Sequence, residues 1–195
     1  MKDIIIASNN QGKIKEYKEI LEPLGFNVLS QSESGVDLEV EETGETFEEN
    51  ASIKAEAIYN IKHSSVLADD SGIEIKYLNN EPGVYSARYK GIPTALERNE
   101  YVLEHLKDAR GSDRAARFVC CICYIDETGH KELFKGIWNG SIADEISGSN
   151  GFGYDPIFIG ENQKVTTANL SDLEKNKISH RARATEKLVN YLKEI

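Results

Sequence analysis

A mixed α/β domain is predicted by three observations. Apolar runs of strand length alternate with helix-periodic segments, capping signals open several of the helices, and 195 residues with 39% hydrophobic and 29% charged side chains suit one core of ordinary size. Ile4 to Ala7 reads as a buried strand, and Lys13 to Leu24 as a helix stopped near Pro23 and Gly25. Asn27 to Gln31 reads as a second strand. Thr46 and Glu49 form a capping box, in which each side chain serves the other's backbone N–H, and the helix they open runs to about Ile61.

Val66 to Ala68 and the alternating Ile73 to Tyr77 read as two strands flanking Asp69-Asp70-Ser71-Gly72. Thr94 to Leu106 has a helical apolar face. Arg117 to Asp126 and Lys131 to Trp138 predict a hairpin around Glu127-Thr128-Gly129-His130. Ser171 to Ile195 reads as two helices broken near Ser179-His180, the first opened by a Ser171/Glu174 capping box. No repeat, low-complexity tract or linker interrupts the chain. A single domain over residues 1–195 is expected, and composition marks no boundary between lobes.

The formal net charge of −10 argues against a nucleic-acid polymer as partner, because no basic stripe offsets it. Small anions remain open, since a divalent cation or a few placed lysines can reverse the local sign. No apolar run reaches the ~20 residues of a membrane-spanning helix. The start, Met1 to Ala7, is shorter than a secretory signal. A cytoplasmic protein without membrane contact is the expectation. Cys120, Cys121 and Cys123 match neither a zinc knuckle nor a redox pair and read as buried thiols in a strand.

Five segments carry candidate chemistry. Ser8-Asn9-Asn10-Gln11-Gly12-Lys13 joins a strand to a helix, where backbone N–H groups and a lysine make a phosphate seat. It is not a P-loop, and a capped turn would explain it as well. Glu39, Glu41, Glu42 and Glu45 precede the Thr46 cap; they read either as a solvated acidic loop or as a source of carboxylates for a hard cation. Asn50 and Lys54 share the face of the helix that follows. Asp69 and Asp70 leave a buried strand, where unpartnered carboxylates are costly, so a metal-holding and water-activating pair is the better reading. In Gly148 to Pro156, glycines allow close backbone approach, Phe152 offers a flat face and Asp155 an acceptor. Lys175, His180 and Arg181 gather cations and donors around a helix break.

Taken in order, these segments resemble the inosine/xanthosine triphosphate pyrophosphatases. The resemblance runs nearly end to end, through Ser8-Asn9-Asn10-Gln11-Gly12-Lys13, Glu41-Glu42-Thr43-Gly44, Ala68-Asp69-Asp70-Ser71-Gly72, Pro82-Gly83-Val84-Tyr85-Ser86-Ala87-Arg88, Phe152-Gly153-Tyr154-Asp155-Pro156 and Ile178-Ser179-His180-Arg181. It implies a long mixed β-sheet flanked by helices, two lobes with a central active-site cleft, and a homodimer. It also implies Mg²⁺-dependent cleavage of ITP, dITP and XTP to the monophosphate and pyrophosphate. Under it, Ser8, Asn9, Asn10, Gln11, Gly12 and Lys13 cradle the triphosphate, with Lys54 and Lys175 adding charge. Glu41 and Asp70 bind the metal, Asp70 accepts the proton, and Asp69 assists. Ser71 touches substrate, while Phe152, Gly153, Tyr154, Asp155, His180 and Arg181 surround the base. Asn169, where the family commonly has Glu, and Ala182, where Gly is common, depart from the pattern near the base pocket.

Overall fold

The computed structural model describes residues 2–194. Six strands form one mixed sheet in the order β2-β1-β3-β4-β5-β6, with β1 at Lys2–Ile6, β2 at Phe26–Ser30, β3 at Val66–Ile75, β4 at Ala115–Ile125, β5 at Lys131–Ile142 and β6 at Phe158–Gly160. The helices are α1 (Gln11–Leu21), α2 (Phe47–Lys62), α3 (Ala95–His105), α4 (Asp172–Ile178) and α5 (His180–Glu194). β1 pairs parallel with both β2 and β3, whereas β6 pairs antiparallel with β5. The expected mixed α/β architecture is therefore present. β6 is three residues long and had no periodic signal to announce it.

By contacts the chain forms two compact units: Met1–Asp70 with Cys121–Lys135 and Thr185–Ile195, and Ser71–Cys120 with Gly136–Ala184. The first has a core in which Ile5 and Val66 from the sheet meet Ala51, Ala55 and Ile58 of α2. Two of those helix residues are alanines, which lets α2 lie close to the strands that carry the acids. The second has an aromatic core of Trp138, Phe118, Phe158, Tyr89 and Tyr154 with Val102 of α3 and Leu106, which caps that helix. Phe158 stands edge-on to both Phe118 and Trp138, with ring centroids 4.6 and 5.4 Å apart. Gly160 lets Trp138 lie against the backbone of β6, since a Cβ there would overlap the indole.

Local signals were obeyed closely. Thr46 accepts from Glu49 N at 3.1 Å while the Glu49 carboxylate accepts from Thr46 N at 3.2 Å, closing the predicted box on α2. Ser171 and Glu174 do the same for α4, and Thr94 with Glu97 adds a third box on α3. α1 ends at Leu21, three residues before the expected stop, because Pro23 admits only a short 3₁₀ turn before Gly25 takes a left-handed φ of 89°. The 126–130 turn joining β4 to β5 is held by the Asp126 carboxylate, which accepts from the N–H groups of Thr128 and His130.

One expectation needs correcting. Asp69 to Gly72 is not an interruption between two strands: β3 runs unbroken for ten residues, Val66–Ile75, with Asp69 and Asp70 inside it and buried. Aspartate disfavours strands, so the continuity of β3 through this pair is not expected from local propensity. Tertiary partners override the preference here. Asp70 is the last residue of the first unit on this strand, and Ser71 the first of the second.

Candidate active site

In the first unit the carboxylates of β3 are met by lysines from two helices. Lys13, in the first turn of α1, places Nζ 3.0 Å from Asp69 Oδ2. Lys54 of α2 donates to the Asp69 carbonyl at 2.7 Å, pairs with Glu42 at 2.6 Å and lies 3.8 Å from Asp70 Oδ1. Asn50, one turn earlier on α2, donates to Asp70 Oδ2 at 3.2 Å and accepts from Gly44 N at 2.8 Å. Gly44 is required at that spot, because a Cβ would stand 2.7 Å from both Asn50 Oδ1 and Glu49 Cβ.

These contacts set the protonation chemistry. Burial pushes the Asp70 carboxyl above the usual aspartate range; Lys54 pulls against that and the nearby Glu42 charge adds to it. Burial disfavours the Lys54 ammonium, but Asp70, Asp69 and Glu42 outweigh it and hold its pKa above the ordinary lysine value. A buried carboxyl with a raised pKa beside cations is suited to accepting a proton from an attacking nucleophile.

The predicted phosphate turn is present, and its donors are occupied from within. Asn10 caps α1, its Oδ1 accepting from Gly12 N at 3.0 Å and Lys13 N at 3.2 Å, and Ser8 Oγ accepts from Asn10 N at 3.1 Å. Asn9 Oδ1 accepts from Ser32 at 3.4 Å, and Gln11 is exposed. An incoming phosphate therefore competes with Asn10 for the helix-start N–H groups. Of the acidic loop, Glu42 joins the cluster through Lys54. Glu41, the expected metal ligand, is exposed and makes no ion pair among the described residues.

In the second unit a glycine-rich loop carries Phe152, which is 56% exposed, an unusual exposure for a phenylalanine. Lys175 of α4 lies 4.6 Å over its ring and the Arg181 guanidinium of α5 5.9 Å over it. Arg181 also donates to Ser71 Oγ at 3.4 Å. His180 is buried and stacks on Phe118, centroids 4.7 Å apart and 12° from parallel.

Four of the residues expected around the substrate have partners within the chain. The Lys175 ammonium is paired with Asp155 Oδ2 at 2.6 Å, both side chains being buried. Asp155, expected to meet a base, instead holds Lys175 and accepts from Phe152 N at 2.9 Å. A Cβ on Gly151 would overlap the Asp155 carboxylate, and Gly151 has a φ of 72°, so the loop closes tightly over that aspartate. Tyr154 is buried in the aromatic core, its hydroxyl donating to the Ser86 carbonyl at 2.8 Å, so its ring supports the loop from beneath. Burial pushes its phenol up to about 12. Gly153 offers its carbonyl to Asn99 of α3 at 3.1 Å.

The chain matches the Ham1 family over residues 4–191. It is 46% identical to a Clostridium perfringens protein named dITP/XTP pyrophosphatase, covering 100% of this chain and 99% of that one. It is 49% identical to a Bacillus subtilis protein of the same name, with 98% of each covered. Among solved structures, a HAM1 protein from Coxiella burnetii superposes with a TM-score of 0.92 at 44% identity over 100% of both chains. The chain belongs to the Ham1 family. The mixed sheet and flanking helices are thus those of Ham1 proteins.

Sequence reasoning missed two contributors in this Ham1 fold. Asn50 was noted only as sharing a helical face with Lys54; the signal was there, since one face that presents an amide and a lysine one turn apart suits two adjacent carboxylates. Asn99 had no signal at all. The two departures from the family pattern are accommodated: Asn169 donates to Thr166 Oγ1 at 2.7 Å and Ser147 Oγ at 3.0 Å, and the Ala182 N–H is taken by Ser179 Oγ at 3.1 Å.

Proposed function

We propose that this Ham1-family chain hydrolyses non-canonical purine nucleoside triphosphates (dITP, XTP and ITP) between the α- and β-phosphates. The products are a monophosphate and pyrophosphate, and the activity clears such nucleotides from the pool. The reading is carried by Asp69 and Asp70 buried inside a strand opposite Lys13 and Lys54. Burying four charged groups together is costly, and a charge-transfer site is the use that justifies it. The names of the relatives supply the substrate class.

Lys13 and Lys54 exchange their carboxylate partners for phosphate oxygens, meeting the charge of the departing pyrophosphate. Asp70, with its raised pKa and its Asn50 hydrogen bond, accepts the proton of the attacking water, and Asp69 orients that water. Mg²⁺ is a hard cation that takes one or two carboxylates with phosphate oxygens and waters; Asp70 is a buried carboxylate, and Glu41 is exposed and makes no ion pair among the described residues. Those two residues would hold it. When bound, the ion supplies Lewis acidity and positive charge toward the phosphate.

Phe152 stacks on the base, and Arg181 and His180 supply donors for a 6-keto oxygen. Adenine would set its 6-amino donor against them, a mismatch that rejects substrates by ~10⁴-fold. No helix among the described residues is long and apolar enough to cross a membrane, and a cytoplasmic homodimer completes the proposal, read by sedimentation. The deciding experiment is a panel of dITP, XTP, ITP, dGTP and ATP, with and without Mg²⁺, scoring monophosphate and pyrophosphate separately. Turnover of dITP and XTP to pyrophosphate only with Mg²⁺ is expected. Direct release of orthophosphate, or ATP turned over as fast as ITP, overturns it.

A further inference from the structure

Phe152 stands between Gly151 and Gly153, both at left-handed φ (72° and 62°), where the backbone has more freedom than at any other residue type. A ring meant to receive a flat ligand needs its backbone fixed from outside. Before Phe152 the anchor is the Asp155 carboxylate on Phe152 N; after Tyr154 it is the tyrosine hydroxyl on Ser86. Between them, the carbonyl of Gly153 is held by Asn99 Nδ2, from a helix 54 residues away in sequence. Asn99 is 2% exposed, and its Oδ1 is buried without a hydrogen-bond partner among the described residues. The opposite amide orientation would set Oδ1 against the Gly153 carbonyl, so the donor must face the loop. An orphaned buried acceptor costs stability. A leucine of nearly the same shape would avoid that cost, so the asparagine is not there for the core.

We infer that Asn99 is a positioning residue for the base-binding loop: it fixes the Gly153 peptide and thereby the aspect of Phe152 presented to the purine. This rests on the reading that Phe152 meets the base. Asn99 touches no substrate in this scheme; it acts through Gly153.

The test compares Asn99→Leu, Asn99→Ser and Phe152→Ala in the full chain with dITP and XTP and Mg²⁺, alongside thermal unfolding and amide hydrogen exchange of residues 151–155. With Asn99→Leu, KM rises about five- to tenfold, the size of one neutral hydrogen bond, while kcat changes less. Exchange at 151–155 accelerates, and Tm stays within about 3 °C of the parent. Asn99→Ser, too short to reach the carbonyl, gives the same KM shift if the leucine variant does not fold. A KM unchanged in the folded Asn99 variants overturns the inference, as does a fall in Tm with KM and kcat worsening together. If Phe152→Ala also leaves KM unchanged, the loop does not meet the base and the functional reading of Phe152 fails instead. If Phe152→Ala raises KM and the Asn99 variants do not, only the positioning role fails.

Discussion

Both units of the molecule bury carboxylates against lysines, yet the charges are matched in one and unmatched in the other. In the first unit, Glu42, Asp69 and Asp70 face Lys13 and Lys54, three carboxylates to two lysines. In the second, Asp155 and Lys175 form a single pair at 2.6 Å, and the second use of that aspartate is a neutral backbone N–H. A surplus of buried charge is poor architecture but suits a site that must attract a cation and move a proton. A matched pair is architecture. It fixes the loop under Phe152.

The comparison is broken most directly at Asp70. Asp70→Asn should lower kcat by about 10²–10⁴-fold, the usual worth of a general base, in a steady-state pyrophosphate assay. A variant with parental kcat would show that the surplus carboxylate does no chemistry. The opposite outcome is expected in the second unit. Lys175→Met leaves Asp155 buried and unpaired, which should cost about 3–5 kcal/mol by urea denaturation, and adding Asp155→Asn should restore part of the loss. Equal destabilisation in the single and double variants would mean that the pair is not the unit that holds the loop.

A smaller effect sharpens the contrast. The Asp70 pKa is raised in the folded chain, chiefly by burial, so the folded state holds that proton more tightly than the unfolded chain does. Its favourable contribution is complete below the ordinary aspartate pKa and is lost as pH rises through the raised value. Metal-free Asp70→Asn should therefore match the parent in Tm at acid pH and exceed it increasingly as pH climbs toward neutrality. A gap that closed with rising pH would reverse the sign and make Asp70 a stabilising anion. The smallest effect belongs to a purely local device: Thr46→Ala should cost about 1 kcal/mol by removing the α2 cap, with little change in KM.

Much of this was legible from residues close together in the chain. The boxes at Thr46 and Ser171, the helix stop before Gly25 and the break at Ser179 are contests between groups a few residues apart, and the sequence displays both contestants. The candidate acids and lysines were legible as residue types. Their partners were not. Asp69 and Asp70 read as residues leaving a strand rather than lying within one, because aspartates resist strands locally, and the lysines brought from two helices offset that preference. Glu41 and Glu42 are adjacent and chemically alike, so the choice of Glu42 for Lys54 depends on which way the loop arrives.

The sequence by itself determined the alternation of elements, their caps and the chemical inventory of the site, because those follow from periodicity and from hydrogen bonds within a turn or two. Tertiary structure alone decided that Lys175 answers Asp155, 20 residues away, and that Asn99 answers Gly153, 54 away. Such pairs form only after the chain has closed large loops, and the energy that selects one distant partner over another comes from the burial of both, which no local stretch of residues contains.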